Sequence, residues 1–330
     1  MKIDKQRVRS ILFISLSNLG DIILTTPVFE RLCQLFPDAS VDVVTGQAGR
    51  EVFSGHPSVR DIIVPERKRS ISDRLRDLGE LRRRNYDMVV DLKNTLIPYL
   101  LGAPYHSSMF SIFDRGYGGA GMGLHKKDEH LLKLDRLGLD TRGAGLMVLK
   151  GEEERRFVDD NIPISGNKKT VLVNPGAKSH LKRWPAEKYA SLADRLTEEL
   201  GCEIFVAGNE DDREVVGRFM DSVCSSVTDL CGKTSLKVLM EVMKRVDLVI
   251  TNDSAPLHMA SAVNVPTLAL FGPSDETKYG PLSEKSKVIR PRVPCRPCGK
   301  ALCAVGPDEG CLVMVEVDEV FNAAKEFLSG

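Results

Sequence analysis

The residues best placed for chemistry stand in turns that follow apolar, strand-like runs. In one of them, Asp247 to Ile250 is the strand, Thr251, Asn252, Asp253 and Ser254 form turn and cap, and Ala255 to Val263 reads as a helix. Pro256 falls in the first helical turn, where its missing N–H costs nothing. Such a junction turns unpaired N–H groups, here those of Ser254 and Ala255, outward with the positive end of the helix dipole. That suits a phosphate. Asp253 would repel a phosphate so close by, and fits instead the hydroxyls of a sugar attached to it. The plain alternative is a capped strand–helix junction of any α/β protein.

Two uses of Asp21, which follows Gly20 at the mouth of the first strand, stay open: helix N-cap, or general base held at a strand's carboxyl end. Lys178, His180, Lys182 and Arg183, with the only tryptophan, Trp184, fill the loop before a helix begun by Pro185. Loop cations are usually solvated, but several beside a helix start would neutralise a diphosphate without a metal. The chain has no D-x-D pair of the kind that holds a metal–diphosphate complex. Arg67-Lys68-Arg69 and Arg82-Arg83-Arg84 flank one amphipathic stretch. A solvated face is the reading for the second group. The first, in a loop after a strand, suits an anionic acceptor or an acidic leaflet, each charge adding on the order of 1 kcal/mol. Cys295, Cys298, Cys303 and Cys311 fall within 17 residues and could bind zinc. Their spacing lacks a second C-x2-C pair, so reduced thiols packing an irregular loop are preferred.

These turns need elements to hold them. Val8 to Leu16, Val41 to Thr45, Asp61 to Val64 and Tyr86 to Leu92 read as strands, with helices over Ile22 to Phe36, Gly46 to His56 and Ile71 to Arg84 between them. Apolar runs alternating with helices indicate parallel β-α-β winding, and the Leu19-Gly20-Asp21 turn lacks the G-x-G-x-x-G of a dinucleotide fold. The glycine-rich stretch 115–123 is expected to be a mobile loop; Lys127 to Leu137, carrying His130, and Glu152 to Asp160 read as helices. With a linker at 161–169, the expectation is two domains, 1–165 and 166–330, with the last helix (Val317 to Leu328) a candidate to pack back on the first. The second repeats the alternation: strands at Thr170 to Val173, Glu203 to Ala207 and Thr267 to Phe271, helices at Pro185 to Leu200, Glu210 to Val223 and Ser235 to Arg245.

The pattern fits an α/β protein of GT-B architecture, two Rossmann-like domains facing across a cleft, with ligands at the carboxyl ends of the strands. Forty-six basic and 46 acidic residues cancel, so no global field draws the chain to nucleic acid or to a membrane. The opening ten residues are polar, without the layout of a signal peptide, and a cytoplasmic protein with eight reduced cysteines is expected.

Taken in order, Ser17-Asn18-Leu19-Gly20-Asp21-Ile22-Ile23-Leu24-Thr25-Thr26-Pro27, Asn174-Pro175-Gly176, Lys182-Arg183-Trp184-Pro185, Thr251-Asn252-Asp253-Ser254, Ala255-Pro256-Leu257-His258, Phe271-Gly272-Pro273 and the late cysteines resemble the ADP-heptose:lipopolysaccharide heptosyltransferases of glycosyltransferase family 9. The resemblance spans nearly the whole chain. It implies metal-independent, inverting transfer of a heptose from ADP-heptose to the inner core of lipopolysaccharide. With no exported segment, and with Arg67–Arg69 able to touch an anionic lipid-linked acceptor, a soluble protein peripherally held at the inner membrane is expected. Carried over by motif, Asp21 is the base, Lys182 a diphosphate ligand and Asp253 a heptose ligand, with Asp212 at the adenosine ribose. Ser254, Ala255 and His258 join the donor set, and Arg67, Lys68, Arg69 and His130 the acceptor set. Many relatives have Thr-Gly after the donor-site Asp, where this chain has Ser254-Ala255; phosphate contacts there would be through backbone. An epimerase-like nucleotide-sugar enzyme of the same architecture and a non-catalytic nucleotide-sugar binder are the alternatives.

Overall fold

Apolar, β-branched runs form strands buried on both faces, and the polar turns after them release helices that cover the sheet. The structure, a computed structural model, describes residues 3–66, 70–107, 123–149, 151–164, 166–300, 302–303 and 310–329. Arg67, Lys68 and Arg69, and residues 115–122 of the expected mobile loop, lie outside the described residues. The chain divides into two units, Met1–Met147 and Val148–Gly330.

In the first unit come β1 (Ser10–Ile14), α1 (Leu19–Leu35), β2 (Ser40–Val44), α2 (Gln47–Phe53) and β3 (Val59–Ile63). After them come α3 (Ile71–Arg83), β4 (Met88–Asp91), α4 (Ile97–Leu101), β5 (Tyr105–His106) and α5 (Lys126–Asp135). The sheet order is β3-β2-β1-β4-β5, every pairing parallel. Side chains alternate along β1. Leu12 and Ile14 join Leu81, Tyr86 and Val89 in one core. On the other face Phe13, Phe29 and Phe53 form an aromatic cluster, with the Phe29 and Phe53 ring centroids 5.0 Å apart.

The second unit holds α6 (Glu152–Asn161), β6 (Thr170–Asn174), α7 (Ala186–Leu200), β7 (Glu203–Val206), α8 (Arg213–Ser222), β8 (Val227–Asp229) and α9 (Leu236–Met243). It continues with β9 (Leu248–Asn252), α10 (Ala255–Val263), β10 (Thr267–Leu270), α11 (Glu276–Tyr279), β11 (Ser286–Ile289) and α12 (Val317–Leu328). Its parallel sheet runs β11-β10-β9-β6-β7-β8. Each sheet reverses its winding once, between β1 and β4 in the first and between β6 and β9 in the second. Loops leaving adjacent strands diverge at such a switch point and open a crevice at the carboxyl ends.

Three boundaries differ from expectation. The units part before α6, not at 165, because Val158 is fully buried and α6 packs on α9, with Arg245 bonded to Asp159 and to the Arg155 carbonyl. The final helix, α12, packs within the second unit: Val320, Phe321, Ala323 and Ala324 enter its core, against α7 and the β9–β10 strands. Helix α1 begins at Leu19 with Asn18 as N-cap, so Gly20 and Asp21 lie inside its first turn rather than in a loop before it. Pro27 sits within that helix; Thr26 Oγ1 donates to the Ile23 carbonyl that the proline cannot reach.

Candidate functional site

In the second unit the loops from β6 and β9 meet at the switch point. Asn252, the last residue of β9 and fully buried, ties them together. Its amide donates to the Pro175 carbonyl at 2.9 Å, and its Oδ1 accepts from the Trp184 N–H at 3.1 Å and the Tyr189 hydroxyl at 3.2 Å. This anchors the turn after β6 and fixes the 3-10 turn His180–Lys182 just before Trp184. Trp184 is fully buried, donating Nε1–H to the Val315 carbonyl; it is core rather than ligand surface.

With that loop fixed, Lys182 Nζ donates to Asp253 Oδ2 at 2.6 Å. The Asp253 side chain is 5% exposed and that of Lys182 34%, so the carboxylate is shielded and the ammonium is part open. Asp253 alone would repel a phosphate beside it; the ammonium cancels that charge locally. Ser254 takes the N-cap position of α10 in an extended conformation, yet its hydroxyl turns back to the Asn252 carbonyl and makes no cap bond. The helix N-terminus, with its residual positive potential, therefore lacks the side-chain acceptor that a capped junction would have. Ala255 opens the helix, and His258 is buried in its first turn.

Asp212 reaches the same end of the sheet from the turn after β7. Its carboxylate caps its own 3-10 turn by accepting from Asn209 N–H at 3.1 Å, and burial pushes its pKa upward, against that bond and the Arg183 charge. A Cβ on Gly176 would lie 2.3 Å from the Asp212 Oδ1, so the β6 turn approaches this carboxylate closely and a side chain there would displace it. Arg183 spends its Nε–H on the Ala177 carbonyl, bracing the loop. Lys178 and His180 are exposed.

The first unit presents a different set. Asp21 is half-buried, and Asn18 Nδ2 donates to its Oδ2 at 3.2 Å. With Asn18 at the cap, Asp21 is not the N-cap of α1. Gly46 lets the β2 loop press on this turn, since a Cβ there would lie 2.5 Å from the Ser17 carbonyl oxygen. At the same end of the sheet Asp91, buried, accepts from the N–H groups of Lys93 and Thr95 and from the Thr95 hydroxyl. Buried Lys133 of α5 reaches over to the Asp91 carbonyl and Asn94 Oδ1, and burial pushes its ammonium down to about 8. His130, expected as an acceptor ligand, is 5% exposed; burial and the neighbouring Lys126, Lys133 and His125 charges push its imidazole down to about 3. It is neutral at physiological pH and offers no positive charge to an anion. Sequence reasoning placed Asn252 in the turn without giving it a role, and passed over Asp91 and Lys133. An Asp closing an apolar strand ahead of Lys-Asn-Thr was a usable signal for Asp91; nothing local marks Lys133, or Asn252 as the joint between two loops.

The eight cysteines are thiols. Burial raises the Cys311 thiol, helped by the Cys303 and Cys295 charges, against the Arg296 guanidinium. Arg296 anchors the strand of chain between Cys295 and Cys298 to the Gly272 and Ser274 carbonyls and the Glu276 carboxylate. Among the described residues no three His, Cys, Asp or Glu gather as a metal-ligand set. A cavity of about 710 Å³ between α6 and α9 is lined by Arg155, Asp159, Glu241, Lys244 and Arg245. Lys244 pairs there with Glu241, and Arg245 with Asp159 and Glu241.

The sequence profile of glycosyltransferase family 9 (heptosyltransferase) matches residues 129–308. The chain belongs to glycosyltransferase family 9. It is a glycosyltransferase, and its two Rossmann-like units are those of the GT-B class. Lipopolysaccharide heptosyltransferase 2 of Escherichia coli K12 is 27% identical over 308 residues, covering 85% of this chain and 87% of the relative. Lipooligosaccharide heptosyltransferase 2 of Campylobacter jejuni is 25% identical over 320 residues, covering 94% and 95%. The family 9 glycosyltransferase of Veillonella parvula superposes with a TM-score of 0.78 at 26% identity, over 97% of each chain. E. coli heptosyltransferase WaaC, solved with ADP, shares the fold at a TM-score of 0.66 and 19% identity, over 96% of this chain and 99% of that one.

Proposed function

We propose that this family 9 enzyme moves a heptose from ADP-heptose onto the inner core of lipopolysaccharide, inverting the anomeric carbon, with Asp21 as general base. The observation that carries the reading is the Lys182–Asp253 pair beside the uncapped start of α10. Diphosphate and sugar need opposite partners a few ångströms apart, and this pair provides them. Lys182 and the backbone N–H groups of Ser254 and Ala255 meet the diphosphate, Asp253 holds heptose hydroxyls, His258 lines the donor pocket and Asp212 binds the adenosine ribose. That E. coli WaaC was solved with ADP and with ADP-2-deoxy-2-fluoro heptose supports the choice of donor.

Asp21 takes the proton of the acceptor hydroxyl as that oxygen bonds to the anomeric carbon on the face opposite ADP. The bond from that carbon to the diphosphate breaks, and the negative charge arriving on ADP is met by the Lys182 ammonium and the α10 N-terminus. No metal is assigned a part, because these groups already supply the positive charge. Residues 1–147 carry the acceptor, with Arg67, Lys68 and Arg69 toward its anionic groups, and residues 148–330 carry the donor. His130 keeps only a neutral contact. The protein works in the cytoplasm at the inner leaflet, where a lipid-linked acceptor is reached. Purified protein given ADP-heptose and a lipid-free truncated core should release ADP and add one heptose to the acceptor, read by mass spectrometry. Donor consumption that yields only free sugar or an epimer would overturn the reading.

A further inference from the structure

The loop leaving β4 is held from two sides. Within it, the Asp91 carboxylate accepts from the N–H groups of Lys93 and Thr95, at 2.7 and 2.6 Å, and from the Thr95 hydroxyl. From α5, Lys133 donates to the Asp91 carbonyl and to Asn94 Oδ1. Asn94 stands in the left-handed region at φ 57°, which asparagine tolerates better than most residues. These bonds fix the backbone on either side of Lys93. Its side chain is half-buried, and among the described residues its ammonium meets no hydrogen-bond or ion-pair partner. Burial pulls its pKa down, and the Asp91 charge offsets only part of that. The segment 91–95 holds one carboxylate, whose oxygens are already bonded within the loop, against the two lysines. An ammonium kept part-way out of water with no anion beside it opposes folding, and an anion that binds there relieves it. The position matters as much as the charge. β1 and β4 are neighbours, with Ile14 level with Asp91 and the Leu92 N–H bonded to the Ile14 carbonyl, where the first sheet reverses its winding. The β1 loop leads to Asp21 in the first turn of α1, and the β4 loop carries Lys93, so both residues stand on the loops that border the crevice of that switch point.

We propose that Lys93 is an acceptor-binding residue whose ammonium, held at the first sheet's switch point, takes an oxyanion of the acceptor and so sets the attacking hydroxyl against Asp21. The oxyanion is a phosphate ester or a sugar-acid carboxylate. Three N–H donors on a flexible stem fit either shape, while the braced backbone limits where the charge can reach. The loop also selects among acceptors. A neutral sugar in the same place leaves the half-buried charge without a partner, so an acceptor that lacks the anion binds more weakly. Lys133 acts only through the loop, as a positioning residue that holds Asp91 and Asn94. The inference rests on the reading that residues 1–147 carry the acceptor, and adds the residue that meets its anion.

The test is calorimetric titration of the full chain with a lipid-free truncated core, without donor. Lys93→Gln should weaken core binding about ten- to a hundredfold, the range of a lost bond to a charged group, and Lys93→Arg should restore most of it. The Gln variant should keep its ADP affinity and hold or gain melting temperature, because it removes a half-buried charge that has no partner. In steady state it should raise the acceptor KM more than it lowers kcat. Phosphatase treatment of the core separates the two sources of the anion: a Lys93 effect that disappears assigns a phosphate, and one that persists assigns a carboxylate. A Gln variant that binds the core as tightly as the parent overturns the proposal, whether or not its melting temperature falls. So does a parent that does not bind the core at all. Core binding needs no turnover. Missing transfer with Lys93-dependent binding would sink the proposed reaction alone, and normal transfer with equal binding would sink the role of Lys93 alone.

Discussion

At the scale of single residues, Asp21 separates two roles that are usually entangled. Because Asn18 holds the cap position, Asp21→Asn would remove the proposed base without removing a cap. Folding and ADP-heptose affinity by calorimetry should stay unchanged while the rate at saturating acceptor falls about 10²–10⁴-fold; activity within a few-fold of the parent would retire Asp21 as the base. Lys182→Ala should have two consequences, since it strips the proposed diphosphate partner and leaves the buried Asp253 carboxylate without its ion pair. Transfer should fall about 10²-fold, and stability should drop as well. Adding Asp253→Asn should recover melting temperature but not rate; recovery of both would reduce the pair to a structural strut. His130 bears on pH. Its folded pKa, about 3, lies below its unfolded value of 6.5, so acid protonates the unfolded chain first. The stability it leaves intact above pH 6.5 is lost as pH falls toward 3, at up to about 1.4 kcal/mol per unit. His130→Leu should therefore flatten urea-derived stability between pH 6.5 and 5, and an unaltered slope would show that the acid loss arises elsewhere.

At the scale of elements, the donor-side loops are joined through one buried amide. Asn252→Ala would leave the Pro175 carbonyl, the Trp184 N–H and the Tyr189 hydroxyl without their shared partner. A cost of about 2–3 kcal/mol is expected by denaturant titration, with weakened ADP binding because Lys182 loses its support. Full ADP affinity in a destabilised variant would separate the hub from the site. The elements themselves were unequally legible. Buried central strands such as β6 and β9 announce themselves as unbroken apolar runs. The two-residue β5 and the half-exposed β8 and β11 do not, since an edge strand pairs by backbone alone and needs no apolar pattern. The charged α6 reads as solvent-facing, and only its packing on α9 reveals that Val158 ties it to the second unit.

For the whole molecule, each unit has its own parallel sheet and its own core, and the proposed labour divides the same way. ADP should therefore slow amide hydrogen exchange at 174–184 and 251–258, around the second sheet's switch point, and leave β1 and β2 unchanged. Protection confined to the first unit would reverse the assignment of donor and acceptor.

By itself the sequence determined the β-α-β alternation, the parallel winding and the turns that could hold a phosphate. These depend on local period and on turn-forming residues, which a chain displays wherever it lies. It also marked Lys182 and Asp253 separately. That they form one ion pair was decided by tertiary structure, because 71 residues separate them and only the adjacency of β6 and β9 closes that distance. Tertiary structure likewise decided that His130 is uncharged and that Trp184 is core, since both follow from burial, and burial is set by neighbours remote in the chain.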